Sequence, residues 1–145
     1  MEGSIINRIK SRRGYLLGDE PKVGDGATYM AYSDRYPLTV IDRFRHVNQP
    51  RKNPKGDIYL KLQQDFAELV SGSYQSEGQG YEFSRNPNGQ IYYVREVDVY
   101  EDGVLKGRIY EEVRKNEKGN FEIRNRNNRR PIVFEGRQAY HDPSF

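Results

Sequence analysis

The segment Ser33-Asp34-Arg35-Tyr36-Pro37 carries residue types suited to binding an anion. A carboxylate beside an arginine holds the guanidinium in place, and a held guanidinium presents N–H donors that match a phosphate or a carboxylate. We therefore expect Asp34 to orient Arg35, with the Thr39 hydroxyl beside it and a tyrosine ring stacking on the ligand. The candidate ligand-binding residues are Tyr32, Ser33, Asp34, Arg35, Tyr36, Thr39, Arg43 and Arg45.

The same segment has a second, purely structural interpretation. The side chains of Ser33 and Asp34 are able to accept backbone N–H bonds and so close a turn. Pro37 fixes its own φ and keeps the residue before it extended. A turn is needed under both interpretations, so a ligand role for Arg35 is the more specific of the two hypotheses.

Basic residues are grouped along the chain, although the net charge is only +3, from 24 basic and 21 acidic residues. Grouped arginines and lysines attract phosphates, whereas a mixed-charge solvated surface is the alternative. The groups near the start and in the first half are Arg8, Lys10, Arg12 and Arg13, and Arg43, Arg45, Arg51 and Lys52. The group near the end, a predicted basic patch, is Arg124, Arg126, Arg129 and Arg130.

The sequence contains no recognisable catalytic or metal-binding pattern. The two histidines, His46 and His141, show neither metal-ligand spacing nor the setting of a hydrolase triad, and no phosphate-binding glycine loop is present. The absence of cysteine excludes disulfides and thiolate chemistry. We expect no enzyme, no metal and no cofactor, with a small hydrolase as the remaining enzymatic alternative.

Composition predicts one folded domain with a small core. Hydrophobic residues make up only 34% of 145 residues, but 12 Tyr and 6 Phe supply large buriable side chains. A small core favours stabilisation by a ligand, a partner or a second copy, so we expect a homo-oligomer. No apolar stretch is long enough for a signal peptide or a membrane span, which predicts an intracellular protein without membrane contact.

Turn signals and alternation predict a mainly β fold, either a small antiparallel sheet or an SH3-like barrel, with a C-terminal β-meander. Turns at 86–89, 102–103 and 116–119 divide a meander over 80–125. Residues 58–70 favour a strand over a short helix. In this interpretation residues 1–21 are a lead-in segment and 22–145 one β-rich domain.

Alternation also assigns faces to the first long strand of the meander. Ile91, Tyr93, Val97 and Val99 are expected to be buried on one face, with the other face in water. The pattern of residues 22–44 predicts a curved hairpin. Its spacing resembles that of the first strands of SH3-like barrels such as the Tudor and KOW groups.

Three short islands of sequence resemble a family of small bacteriophage proteins. The first has a Gly-rich strand followed by Ser-Asp-Arg-x-x-x-Thr-Val-Ile, and the others are YEFSRNPNGQ (81–90) and GRQAYHDPSF (136–145). The matching residues of the first island are Gly24, Ala27, Thr28, Ser33, Asp34, Arg35, Pro37, Thr39, Val40 and Ile41. The resemblance implies a viral origin and a small accessory protein in the host cytoplasm, and it supplies no catalytic residues.

These observations favour a non-enzymatic phage accessory protein that binds an anionic, nucleotide-like ligand and so sequesters a nucleotide signal of host immunity. Two other classes stay open. One is an SH3-like module that binds nucleic acid or a host protein, and the other is a virion or assembly component. Polynucleotide binding weakens steeply with salt because many counterions are released, whereas binding of a small ligand in a pocket weakens far less.

Overall fold

The computed structural model of the chain describes residues 9–10, 16–17, 20–31, 34–72, 79–123, 131–134 and 136–141, and all of their regular structure is β-strand. The strands are β1 (Ile9–Lys10), β2 (Leu16–Leu17), β3 (Gly26–Ala31), β4 (Asp34–His46), β5 (Asp57–Gln64), β6 (Phe66–Ser71), β7 (Gly80–Ser84), β8 (Ile91–Glu101), β9 (Val104–Lys115), β10 (Phe121–Ile123) and β11 (Ile132–Val133).

The strands form two antiparallel sheets. The larger has the order β1-β2-β9-β8-β5-β4-β3-β11, with β10 also paired to β9, and it curls into a half-barrel. The smaller contains β6 and β7 alone. The predicted mainly β, antiparallel fold class is therefore confirmed, and so is the C-terminal meander, as β8, β9 and β10.

The first hairpin of the predicted meander, across the turn at 86–89, does not form. Strand β7 pairs with β6, whereas β8 pairs with β5, so the turn at 86–89 carries the chain from the small sheet to the large one. Gly89 lies directly against the backbone of β5, where a Cβ would stand 1.9 Å from the carbonyl oxygen of Gln64. Turn chemistry predicts where a chain reverses but leaves open which strand it pairs with next.

Residues 58–70, predicted as one strand, form two strands that are separated at Asp65. The preceding hairpin is confirmed, because β3 and β4 pair from Gly26↔Thr39 to Ala31↔Asp34. Strand β4 continues past a β-bulge between Val40 and Asp42 to reach His46. A bulge bends its strand and increases the local twist.

Two apolar clusters pack on the large sheet, and together they form its core. The larger contains Ala27, Leu38, Val40, Leu60, Leu62, Val94, Tyr110, Ile132 and Phe134. The smaller contains Tyr59, Val113 and Phe121, with Phe44 and Tyr93 against it. The partner residues of β4 and β5 place the two clusters on opposite faces of the sheet.

The face assignment for β8 is wrong in part. Ile91 is 37% exposed, whereas Val94, on the face predicted to be wet, is completely buried. Both faces of this part of β8 are covered, since Tyr92 packs with the larger cluster and Tyr93 with the smaller. Alternation identifies a buried face only where the opposite face meets water.

Tyr110 links the larger cluster to a group of charged side chains. The residue is 4% exposed, and its hydroxyl donates to Glu96 at 2.9 Å. Glu96 also accepts from Arg43, at 2.9 Å. Burial raises the pKa of the Tyr110 hydroxyl far above its ordinary value, and the Glu96 carboxylate raises it further.

The raised pKa of Tyr110 predicts a loss of stability in alkali. The unfolded chain releases this proton near pH 10 while the folded chain keeps it, so the free energy of unfolding falls as the pH rises above about 10. Tyr110→Phe removes this contribution and makes the alkaline loss shallower in urea unfolding between about pH 8 and 11. Tyr100→Phe, at a ring that is 60% exposed, is the control and keeps the wild-type slope. An unchanged slope in Tyr110→Phe would contradict the assignment.

Candidate functional site

A buried carboxylate lies at the junction of the two sheets. Asp65 joins β5 to β6, and only 1% of its side chain is exposed. The Thr39 hydroxyl lies 2.7 and 2.9 Å from its two oxygens. Arg85 donates to it at 2.7 Å and Arg137 at 3.1 Å. One buried carboxylate is thus shared by two guanidinium groups, and we call these four residues the Asp65 cluster.

Gln63 fastens the loop before β8 to this cluster. Its amide nitrogen donates to the carbonyl oxygens of Pro87 and Gly89, at 2.9 and 3.2 Å. Its amide oxygen accepts from Arg85 at 2.8 Å. Both ends of the side chain are therefore satisfied, which is the condition for burying an amide at low cost.

Arg137 holds the C-terminal segment 136–141 against the sheet. Its guanidinium donates to the carbonyl oxygen of Gly24 at 3.2 Å and to Thr39 at 3.0 Å. It packs over Gly26, where a Cβ would stand 2.7 Å from Arg137 Cγ. Glycine at position 26 is therefore required for this close approach. The Thr28 hydroxyl fixes the neighbouring Gly136 by donating to its carbonyl at 2.7 Å.

Tyr140 completes the attachment through its backbone. Its N–H and C=O pair with the C=O and N–H of Arg35, at 3.1 and 2.9 Å. This bridge uses the edge of β4 beyond the end of β5, whose pairing with β4 ends at Leu38↔Gln64. Residues from the three sequence islands described above thus meet in space. Thr39, Arg85 and Arg137 all contact Asp65, and Tyr140 pairs with Arg35.

A cavity of about 390 Å³ opens beside this junction. Its wall includes Arg35, Tyr81, Phe83, Arg137, Gln138 and Tyr140. We call it the Arg35 cavity. Its volume lies within the range of small-molecule sites, roughly 300–1,000 Å³. None of the described residues that line it is acidic.

The guanidinium of Arg35 forms no hydrogen bond or ion pair with any described residue, although its backbone is fixed by Tyr140. Partly buried arginines elsewhere in the described chain are paired, as Arg43 is with Glu20 and Arg95 with Glu111. An arginine that lines a cavity without a counterion favours an anionic ligand.

The small sheet supplies the aromatic wall of the cavity. Tyr81 and Phe83 alternate along β7 and are half-buried, and their cross-strand partners Leu69 and Ala67 are also half-buried. This face of the small sheet therefore turns inward. Its rings give the cavity an apolar surface in addition to the charge of Arg35.

The predicted site residues separate into different environments. Arg35 lines the cavity, but Asp34 points to the other face of β4, where it accepts from Tyr36 at 3.4 Å. Asp34 and Arg35 form no ion pair, so the expected orienting role of Asp34 is not met. Burial, and then the Asp34 carboxylate, raises the pKa of Tyr36.

Thr39 is 4% exposed and belongs to the Asp65 cluster rather than to the cavity wall. Tyr32, Ser33 and the basic patch Arg124, Arg126, Arg129 and Arg130 lie outside the described residues.

Arg43 and Arg45 line a second cavity, of about 700 Å³, on another part of the large sheet. Arg43 is already paired with Glu20 at 2.8 Å and with Glu96 at 2.9 Å. Arg45 donates to the carbonyl oxygen of Lys55 at 3.1 Å. Three arginines, including Arg95, line this space together with four carboxylates, those of Glu20, Asp57, Glu96 and Asp98. Its small net negative charge disfavours an anion.

The two histidines are used in packing and in main-chain contacts. The ring of His46 packs edge-on against Phe121, with 5.1 Å between ring centroids, and its Nε2 lies 3.2 Å from Asn120 Oδ1. The backbone N–H of His141 donates to Gln79 at 3.1 Å. Within the described ranges, no three His, Asp or Glu side chains are grouped so as to hold a metal ion.

Sequence reasoning missed Asp65, Arg85, Arg137 and Tyr140. The signal in the sequence was slight: Asp65 is an acid between two apolar alternating runs, and Arg85 and Arg137 each lie within an island of the resemblance. Which carboxylate these arginines reach depends on the fold.

Comparison of the chain with protein-family models, curated proteins and solved structures finds no match in any of the three. In the part of the chain that the structure describes, no helix has the length and apolar character to cross a membrane.

The burial of Asp65 predicts that replacing this carboxylate lowers stability far more than replacing an exposed carboxylate. Asp65→Asn leaves the buried Arg137 without its counterion and is expected to lower the free energy of unfolding by about 3–5 kcal/mol. Asp98→Asn breaks the pair with Arg108, in which the Asp98 side chain is 41% exposed, and is expected to cost less than about 1 kcal/mol. Urea unfolding at pH 7 measures both values. Equal, small losses would show that the cluster contributes no more than a surface pair.

Proposed function

We propose that this chain is a non-enzymatic binding protein for an anionic small molecule with a planar ring, held in the Arg35 cavity. The observation that carries the proposal is the guanidinium of Arg35, which lines the cavity without a counterion among the described residues. A bound phosphate or carboxylate would supply that counterion.

The charge around the cavity supports an anion. Two guanidinium groups, those of Arg35 and Arg137, line the cavity, and none of its described lining residues is acidic. Arg137 is paired with the buried Asp65, whereas Arg35 has no described counterion. Arg137 is 9% exposed, so its charge acts in a region where screening by water is reduced. The described lining of the cavity is therefore positively charged, which favours a negative group.

The apolar wall supports a planar ring. Tyr81 and Phe83 project from β7 and Tyr140 is held by its backbone bridge, and all three aromatic side chains line the cavity. Stacking of a base on an aromatic side chain contributes about 1–3 kcal/mol. A volume of about 390 Å³ suits a ligand of mononucleotide size better than a polynucleotide strand.

The resemblance to small bacteriophage proteins suggests a role for such binding. A viral accessory protein that holds a nucleotide lowers its free concentration, and we propose sequestration of a nucleotide signal of host immunity as that role. Binding alone is sufficient for it.

Arg35→Ala tests the cavity directly. The ligands tested are the four 5′-ribonucleoside monophosphates and their nucleosides. Their affinities are measured by isothermal titration calorimetry at about 150 mM salt. Nucleotides are expected to bind, nucleosides to bind more weakly, and Arg35→Ala to weaken nucleotide binding roughly tenfold or more, because a charge-assisted hydrogen bond is lost. The fold is expected to persist, since the bridge to Tyr140 uses only the backbone of residue 35.

Arg45→Ala is the matched control, since Arg45 is exposed and lies outside the Arg35 cavity. It is expected to leave affinity unchanged. Equal weakening in both variants would indicate a general effect of charge and contradict the site. Tight, steeply salt-dependent binding of a single-stranded oligonucleotide that is insensitive to Arg35→Ala would replace the proposal with a nucleic-acid-binding function.

A further inference from the structure

The small sheet has an outward face that differs sharply from its cavity face. Phe66 and Val70 project outward from β6, and each is 53% exposed. Glu68 lies between them, and Glu82 of β7 is its direct cross-strand partner. Val70 is the extra residue of a β-bulge, between Leu69 and Ser71.

The pairing of Glu68 with Glu82 is electrostatically unfavourable. Like charges directly opposite each other on one face of an antiparallel pair are destabilising. Neither carboxylate forms an ion pair with any basic residue that the structure describes. Two uncompensated negative charges are thus placed between two exposed apolar side chains.

The small sheet is also short of stabilising partners. A two-stranded sheet is marginally stable alone, and within the described ranges neither β6 nor β7 pairs with a third strand. Its inward face forms part of the wall of the Arg35 cavity, whereas its outward face carries the exposed Phe66 and Val70 and the opposed carboxylates of Glu68 and Glu82. A binding partner that is both basic and apolar would neutralise the two carboxylates and cover the exposed apolar side chains.

We propose that this outward face, formed by Phe66, Glu68, Val70 and Glu82, is a docking surface for an extended protein segment with a central Lys or Arg. The cation would lie between Glu68 and Glu82, and apolar side chains two positions away on either side would cover Phe66 and Val70. The spacing follows from the strand itself, because side chains on one face recur every second residue. The surface lies on the opposite side of the small sheet from the proposed ligand cavity and is independent of it.

A peptide-display selection tests this surface. A library of random peptides is selected for binding to the immobilised full chain. The selected peptides are expected to be enriched in a Lys or Arg flanked at two positions by apolar residues. The double variant E68Q/E82Q is expected to bind the synthesised peptides roughly fivefold more weakly or worse. Peptide-induced shifts in the amide spectrum are expected in β6 and β7.

The stability of the variant shows whether it has lost peptide recognition or has lost the fold of the small sheet. E68Q/E82Q removes a like-charge pair, so its urea midpoint is expected to equal or exceed that of the wild type while its peptide affinity falls. Glu117→Gln, in the exposed turn between β9 and β10, is the control and keeps wild-type affinity. Failure to select any peptide, selection of peptides without basic residues, or affinity that is unchanged in E68Q/E82Q would each overturn the proposal.

Discussion

The shared carboxylate of Asp65 connects the parts of the chain that build the candidate site. It lies where β5 ends and β6 begins, and it receives Arg85 from the loop before β8 and Arg137 from the C-terminal segment. Burying this charge alone would cost several kcal/mol, so it must be paired, and the pairing fixes which segments meet. A buried ion pair stabilises less than its Coulomb energy suggests, but it strongly disfavours arrangements that leave its charges unpaired. The cluster therefore specifies the junction of the two sheets as much as it stabilises that junction.

The Arg35 cavity follows from that junction. The small sheet turns one face inward and supplies Tyr81 and Phe83, while the C-terminal segment closes the other side and pairs with the free edge of β4. Arginines near the cavity are thus divided between two tasks. Arg85 and Arg137 are engaged with Asp65, and Arg35 keeps its donors available. Because the engaged pair shares a single negative charge, the structural arginines add to the positive field that Arg35 presents.

Sequence patterns predicted the local features well and the long-range ones poorly. The β class, the turns at 102–103 and 116–119, and the hairpin of β3 with β4 follow from turn residues and alternation over a few positions. The pairing of β7 with β6 does not, because it depends on which strand lies nearby after the turn at 86–89. Arg35 was identified from its residue type, but its expected partner Asp34 faces away, because neighbouring residues of a strand point to opposite faces. Asp65 and Arg137 are 72 residues apart in sequence, so only the fold brings them together.

The bridge between Arg35 and Tyr140 is made by main-chain atoms alone. The Cα of residue 35 therefore keeps its place at the rim of the cavity whatever side chain it carries. A lysine, a histidine or a neutral residue at position 35 would alter the preferred ligand while the fold stayed intact. Scaffolds of this kind permit selectivity to change by single substitutions, without the large loss of folding stability that usually accompanies remodelling of a buried charged centre.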